Sequence, residues 1–166
     1  MSGLTEHQTV VIVGAGQAGG ETAVELRKLG FNGRIVIVGE EPHLPYKRPP
    51  LSKAYLAGSI EAAALYLMQP AQLEKARIEF IGDARVVRIN RATETLTLAD
   101  GRTLAYDKLV LATGGRARPL SLPGADCPNV FLLRTIADVE AHCARCVAGR
   151  RAVIVGGGFI GLEVAA

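Results

Sequence analysis

The run Val10-Val11-Ile12-Val13-Gly14-Ala15-Gly16-Gln17-Ala18-Gly19 decides the fold. Its four β-branched residues read as a strand covered on both faces. Three glycines follow in the pattern G-x-G-x-x-G. The first permits a tight turn, the second lets the backbone approach a pyrophosphate, and the third lets helix and strand pack closely. A strand is expected over Thr9–Val13. A helix is expected over Gln17–Leu29, where Ala18, Thr22, Ala23, Leu26 and Leu29 recur near three- and four-residue spacing. Gly30 stands where a helix stops. Arg34–Val38 is a second apolar strand, so the segment is a βαβ unit with an expected right-handed crossover. Glu40 follows, twenty-one residues after Gly19, where an acid accepts hydrogen bonds from an adenosine ribose. The bland reading is a glycine-rich turn and a surface glutamate. Strand, helix, strand and acid in register favour a dinucleotide site.

Beyond this unit, the four prolines of Pro42–Pro50 exclude a regular element, and Ser52 is expected to cap a short helix through Tyr55. Ile78–Ile81 reads as a third core strand. Ala84–Ile89, Glu94–Leu98 and Thr103–Tyr106 follow, the last two alternating around Asp100-Gly101, a hairpin turn signal. A small antiparallel meander inserted in an α/β fold is therefore expected. Lys108–Thr113 returns as an apolar strand ending at Gly114-Gly115, Thr135–Val147 reads as a helix, and Arg151–Val155 as a buried strand. The expected class is α/β: a Rossmann-like domain with a parallel sheet and an antiparallel meander, plus the start of a second Rossmann unit. Its expected division is 1–120 for the first nucleotide domain, 121–150 for a connecting segment with a helix, and 151–166 for the start of a second nucleotide domain.

That second start repeats the first. Ala152-Val153-Ile154-Val155-Gly156-Gly157-Gly158 matches residues 10–16, and Gly161 matches Gly19. Two such turns imply two dinucleotides, one a tightly held flavin and the other a diffusible nicotinamide. The rest of the composition points nowhere else. The 166 residues carry a net charge of only +3, with no run of Lys and Arg, which argues against nucleic-acid binding. The polar stretch Met1–Thr9 does not read as a secretory signal, and no apolar run reaches membrane-spanning length. Cys127, Cys143 and Cys146 are expected to be reduced thiols in a cytoplasmic protein.

Arg48-Pro49-Pro50-Leu51-Ser52-Lys53, the strand-end run from Leu109 to Arg116, Leu133-Arg134-Thr135 and the run from Gly156 to Glu163 together resemble one family. It is the FAD-dependent, pyridine-nucleotide-linked ferredoxin reductases of bacterial oxygenase systems, in the putidaredoxin reductase and rhodocoxin reductase branch. The resemblance implies a glutathione-reductase-type FAD-binding fold, NADH or NADPH as co-substrate, and a small iron–sulfur ferredoxin as acceptor, with no membrane partner. It implies that Gly14, Gly16, Ala18 and Gly19 line the FAD pyrophosphate and that Glu40 holds the ribose. It also implies that Arg48 and Arg134 contact the cofactor, that Lys53 stands beside the flavin ring as the catalytic cation, and that Val86 lies near the adenine. Thr113 and Gly114 would close over the cofactor. Gly156, Gly158 and Gly161 would take the nicotinamide dinucleotide, and Glu163 would fall near flavin and nicotinamide. Lys53 has a physical rationale of its own: a fixed ammonium stabilises negative charge on a reduced flavin. The bland alternative is a solvated lysine on a proline-rich loop.

Cys143-x-x-Cys146 could be a redox pair, but it falls on an expected helix, where chance spacing is the simpler account. His142 and Cys127 complete no metal-ligand pattern, so no metal is expected. His7 and His43 read as solvated loop histidines. Members of the family are longer, so the chain is expected to be an N-terminal fragment that does not oxidise NADH by itself. Alternatives are a flavin disulfide reductase, a redox-sensing flavoprotein similar to apoptosis-inducing factor, and a nucleotide-binding module without catalysis.

Overall fold

Strand β1 (Thr9–Val13) lies at the centre of a parallel sheet, between β2 (Arg34–Val38) and β7 (Lys108–Leu111). In this computed structural model, which describes Thr5 and His7–Ala166, β3 (Ile78–Ile81) completes the sheet in the order β3-β2-β1-β7. The expected readings of Met1–Leu4 and Glu6 lie outside the described residues. Helix α1 (Gln17–Lys28) makes the crossover from β1 to β2.

The continuous apolar strands are explained by two separate cores. Val10, Ile12, Ile35 and Ile37 face one side, where they meet Ala23 of α1 together with Phe31 and Leu73. Val11, Val13, Val36 and Val38 face the other and pack against Leu96 and Leu98. Those leucines belong to an antiparallel sheet of β4 (Val86–Asn90), β5 (Thr95–Leu98) and β6 (Thr103–Ala105), in the order β4-β5-β6. The meander is thus the second cover of the parallel sheet, and both periodicities follow from the same requirement: β1 and β2 bury both faces, while β5 alternates.

Arg27, near the end of α1, closes this arrangement. Its guanidinium donates to the carbonyls of Phe31 (2.6 Å), Gly33 (2.8 Å), Ala76 (2.7 Å) and Arg77 (2.7 Å). It therefore ties the α1–β2 turn to the approach to β3, across the end of helix α2 (Pro70–Lys75). Replacing Arg27 by Met is expected to cost about 2 kcal/mol in a denaturant titration, because half-buried carbonyls lose charged donors. An unchanged midpoint would show that water satisfies them equally well.

The chain resolves into two compact units, one comprising the residues up to Lys47 with Tyr66–Gly114, the other Arg48–Leu65 with Gly115–Ala166. The second unit contains a 3-10 turn over Pro49–Ser52, another over Ala62–Leu65, helix α3 (Ile136–Cys143) and helix α4 (Phe159–Ala165). Several element ends shift by one or two residues, β7 stopping at Leu111 instead of Thr113 and β4 starting at Val86 instead of Ala84, and four larger details depart from expectation. Ser52 ends the 3-10 turn begun by the two prolines and does not start a helix. Proline sets the φ that such a turn needs, which made its N-terminal placement favourable. Helix α2 was too short for its periodicity to register. Helix α3 begins after Thr135, whose hydroxyl accepts from the Asp138 amide at 3.1 Å, but it ends at Cys143, four residues early. Arg151–Val155 joins no sheet among the described residues, and Val153 is 88% exposed. An apolar run forms a strand only where neighbouring backbone satisfies it.

Candidate functional site

Two groups of site residues emerge, one in each unit. In the first unit, Gly14 leaves β1 with φ +117°, and a Cβ there would lie 2.1 Å from the Ala112 carbonyl oxygen. A Cβ on Gly19 would lie 1.9 Å from the Gly14 carbonyl oxygen. Both positions require glycine for the fold itself. Gly16 does not: it is extended, with φ −85° and ψ −171°, and a Cβ would meet nothing within 4 Å. Gly16 is also the N-cap of α1, and no side chain caps that helix end. Ala18 is exposed on the first turn beside it. The space over Gly16, bordered by a helix N-terminus, fits a pyrophosphate.

The segment carrying Glu40 is fixed against this turn. The Gly14 amide donates to the Val38 carbonyl at 2.8 Å, and the Gly39 amide to that of Ile81 at 2.9 Å. A Cβ on Gly39 would come within 2.5 Å of the Ala15 Cβ, so turn and acid-bearing segment are in contact. The Glu40 carboxylate is 54% exposed and lies 3.6 Å from an Arg85 nitrogen. Val86 and Thr113, which stand far apart in sequence, line one cavity of about 340 Å³ with Val13. Gly114 follows Thr113 with φ +65°.

In the second unit, Arg48, Lys53, Arg134 and Glu163 line one cavity of about 320 Å³. Arg48 donates to the Arg134 carbonyl at 2.5 Å, and the Arg134 amide donates to Asp138 at 2.8 Å. Helix α4 packs against the 3-10 turn. There the Lys53 ammonium donates to Glu163 Oε1, and the Ser52 hydroxyl donates to Oε2 at 2.6 Å. The hydrogen bond from Lys53, followed by that from Ser52, holds the Glu163 carboxyl below the usual glutamate range. The sign follows: this carboxylate favours the folded form above the ordinary glutamate pKa, and that contribution is lost as pH falls through the lowered value.

The second glycine turn repeats the first in local geometry. Gly156 has φ +113°, a Cβ on Gly161 would lie 2.6 Å from the Gly156 carbonyl oxygen, and a Cβ on Gly158 would meet nothing within 4 Å. Gly158 caps α4 as Gly16 caps α1.

Ser52 is a site residue that the sequence marks only as a helix cap; its hydrogen bond to Glu163 assigns it to the site instead. Its signal was a serine within an otherwise apolar turn, Pro49-Pro50-Leu51-Ser52. His43 is not a solvated histidine, since it lies half-buried against Tyr46 and Tyr66, with Nδ1 3.4 Å from the Tyr66 hydroxyl. His142 packs on Phe131. Cys143 ends α3, and Cys146 lies beyond it; all three cysteines are free and exposed. Among the described residues no helix is long and apolar enough to cross a membrane.

The family model for pyridine nucleotide-disulphide oxidoreductases matches residues 8–166. Putidaredoxin reductase from Pseudomonas putida is 46% identical over 166 residues, covering 98% of this chain and 39% of the relative. Rhodocoxin reductase from Rhodococcus erythropolis is 46% identical over 158 residues, covering 95% of this chain and 37% of the relative. The crystal structure of the covalent putidaredoxin reductase–putidaredoxin complex superposes with a TM-score of 0.90 at 46% identity, over 97% of this chain and 39% of that one. The chain thus spans about two-fifths of the length of these relatives.

Proposed function

The chain belongs to the pyridine nucleotide-disulphide oxidoreductase family, and on that premise we propose that it carries the FAD-binding part of an NAD(P)H-dependent ferredoxin reductase. The bound flavin would accept electrons from NADH or NADPH and release them to a small iron–sulfur ferredoxin serving an oxygenase. The observation that carries the reading is Gly16, a glycine that the fold does not need, standing where a pyrophosphate does need one. The names of the relatives, putidaredoxin reductase and rhodocoxin reductase, support a ferredoxin-type acceptor.

In this reading Gly14, Gly16, Ala18 and Gly19 hold the diphosphate, Glu40 accepts from the ribose, and Val86, Thr113 and Gly114 enclose the adenosine side. Arg48 and Arg134 contact the cofactor, and Lys53 stands beside the flavin ring with Glu163 as its counter-ion. Gly156, Gly158 and Gly161 receive the nicotinamide dinucleotide. The protein's work is to bind, orient and set charge. The longer protein that carries this chain together with a nicotinamide-binding part should be yellow and should reduce an iron–sulfur ferredoxin with NAD(P)H; purification without flavin from flavin-replete cells would overturn the reading. A cytoplasmic setting belongs to it as well, supported by the free cysteines.

Lys53 gives a quantitative test. An ammonium beside the ring favours the more negative, reduced cofactor, so Lys53→Met should lower the flavin midpoint potential. The side chain is 52% exposed and paired with Glu163, so its field is screened. A net effect of about 1 kcal/mol corresponds to roughly 20 mV for a two-electron couple. Lys53→Arg should retain part of it, since the charge survives but its position changes. A dye-coupled redox titration reads both; an unchanged potential in Lys53→Met would reduce Lys53 to a loop residue.

A further inference from the structure

Ser52 is buried, at 8% exposure. Burying a hydroxyl is costly unless it is hydrogen-bonded, so its partner matters. Its bond to the Pro49 carbonyl is long, at 3.4 Å, whereas the bond to Glu163 Oε2 is short, at 2.6 Å, and is made to a charge. The two residues are 111 positions apart: one ends the Pro49–Ser52 turn, and the other stands on the helix that follows the second glycine turn.

From this geometry we propose that Ser52 is a positioning residue: by donating to Oε2 it turns the Glu163 carboxylate so that Oε1 takes the Lys53 ammonium. The inference rests on the flavin reading only for what the ion pair then does. Lys53 has four side-chain torsions, and Glu163 reaches it from a surface helix. Left alone, such a half-exposed pair would sample many geometries. Two features remove that freedom. The turn fixes the Lys53 backbone, with the Lys53 amide donating to the Pro50 carbonyl at 3.0 Å. The Ser52 hydroxyl, anchored in the buried part of the same turn, holds the far oxygen of the carboxylate. The serine must donate here, so the arrangement favours an ionised Glu163, in keeping with its lowered pKa. Arg48 and Arg134 line the same cavity and add positive charge around the pair. Ser52 thereby decides how much of the Lys53 charge is neutralised by Glu163 and in which direction the remainder acts.

The test uses the flavin-loaded protein carrying this chain, with glutamate labelled at the carboxyl carbon and Glu163 assigned through Glu163→Gln. In Ser52→Ala the NMR titration midpoint of Glu163 should move upward, toward the ordinary glutamate value, and Ser52→Thr, which keeps the hydroxyl, should reverse most of the move. Ser52→Cys keeps the side-chain shape but replaces the hydroxyl by a larger and much weaker donor, and it carries the measurement if the alanine variant fails to fold. On the same samples, Ser52→Ala should alter the flavin midpoint potential in the wild-type background but not in Glu163→Gln, because the serine acts only through that carboxylate. A Glu163 titration unchanged in both the alanine and cysteine variants would overturn the proposal, as would an effect on potential undiminished by Glu163→Gln. Failure of the flavin reading looks different: the Glu163 titration shifts as expected, yet neither Ser52→Ala nor Lys53→Met moves the potential.

Discussion

Gly16→Ala is expected to give a folded protein that has lost its flavin, whereas Gly19→Ala is expected to damage the fold. Both are single-methyl additions to one glycine motif, so the difference between them isolates what each glycine is for. At Gly16 the backbone is extended, a conformation open to any residue, and an added Cβ meets nothing within 4 Å. Nothing in the protein resists the methyl. A diphosphate lying against that backbone does, and displacing it by even part of an ångström strains its bonds to the helix N-terminus. A loss of at least about a hundredfold in flavin affinity, about 2.7 kcal/mol, is expected. At Gly19 the methyl would sit 1.9 Å from the Gly14 carbonyl oxygen. That neighbour is backbone at the end of a central strand, so relief requires moving β1 or α1, at a cost of about 3 kcal/mol. Thermal melts and flavin content of the two variants provide the check. Normal flavin content in Gly16→Ala would remove the main support for the dinucleotide site.

The sequence carried the parallel sheet with little loss. β1 and β2 lie where the apolar runs ended, because a strand buried on both faces has no polar position at which its limits blur, and β3 matches its expected bounds although Glu79 within it is exposed. The hairpin at Asp100-Gly101 was equally readable, since Gly101 takes φ +89° and the turn chemistry is local. What escaped was whatever depends on remote partners. Arg151–Val155 has the composition of β1 and lacks the neighbours that make β1 a strand. His43 looked solvated because its two tyrosine contacts include one twenty-three residues away. The Ser52–Glu163 bond could not be inferred from either residue's surroundings in the chain. The local geometry of the glycine turns was readable twice over, and the matching torsions of Gly14 and Gly156 and the close approaches at Gly19 and Gly161 show why: this motif is set by backbone torsions and close approach, which few other residue choices satisfy.

Glu40→Ala should yield largely colourless protein, with flavin affinity reduced by about a hundredfold. The reasoning begins with rigidity. Gly39, immediately before it, is held on both sides: its amide donates to Ile81, and its carbonyl accepts from Ala84 at 2.8 Å. Contact between Gly39 and Ala15 fixes the distance from the acid to the glycine turn. A carboxylate delivered from such a frame loses little entropy on binding, so the bonds it accepts from two ribose hydroxyls are realised nearly in full. Each hydrogen bond to a charged group contributes about 1.5 kcal/mol at the lower end of its range, appropriate for a side chain that is 54% exposed. Two of them account for the expected loss. Arg85 sets the control. Its nitrogen lies 3.6 Å from the carboxylate, so removing Glu40 also leaves a cation at the site, and that cation would favour the cofactor's negative charge. Glu40→Gln keeps one acceptor and should retain intermediate occupancy. If the loss came only from altered charge, Glu40→Gln and Glu40→Ala would behave alike; if the loss comes from ribose hydrogen bonds, alanine is clearly the worse. Flavin retained on purification, followed by titration of the apoprotein with FAD, separates these outcomes, and full occupancy in Glu40→Ala would remove Glu40 from the site.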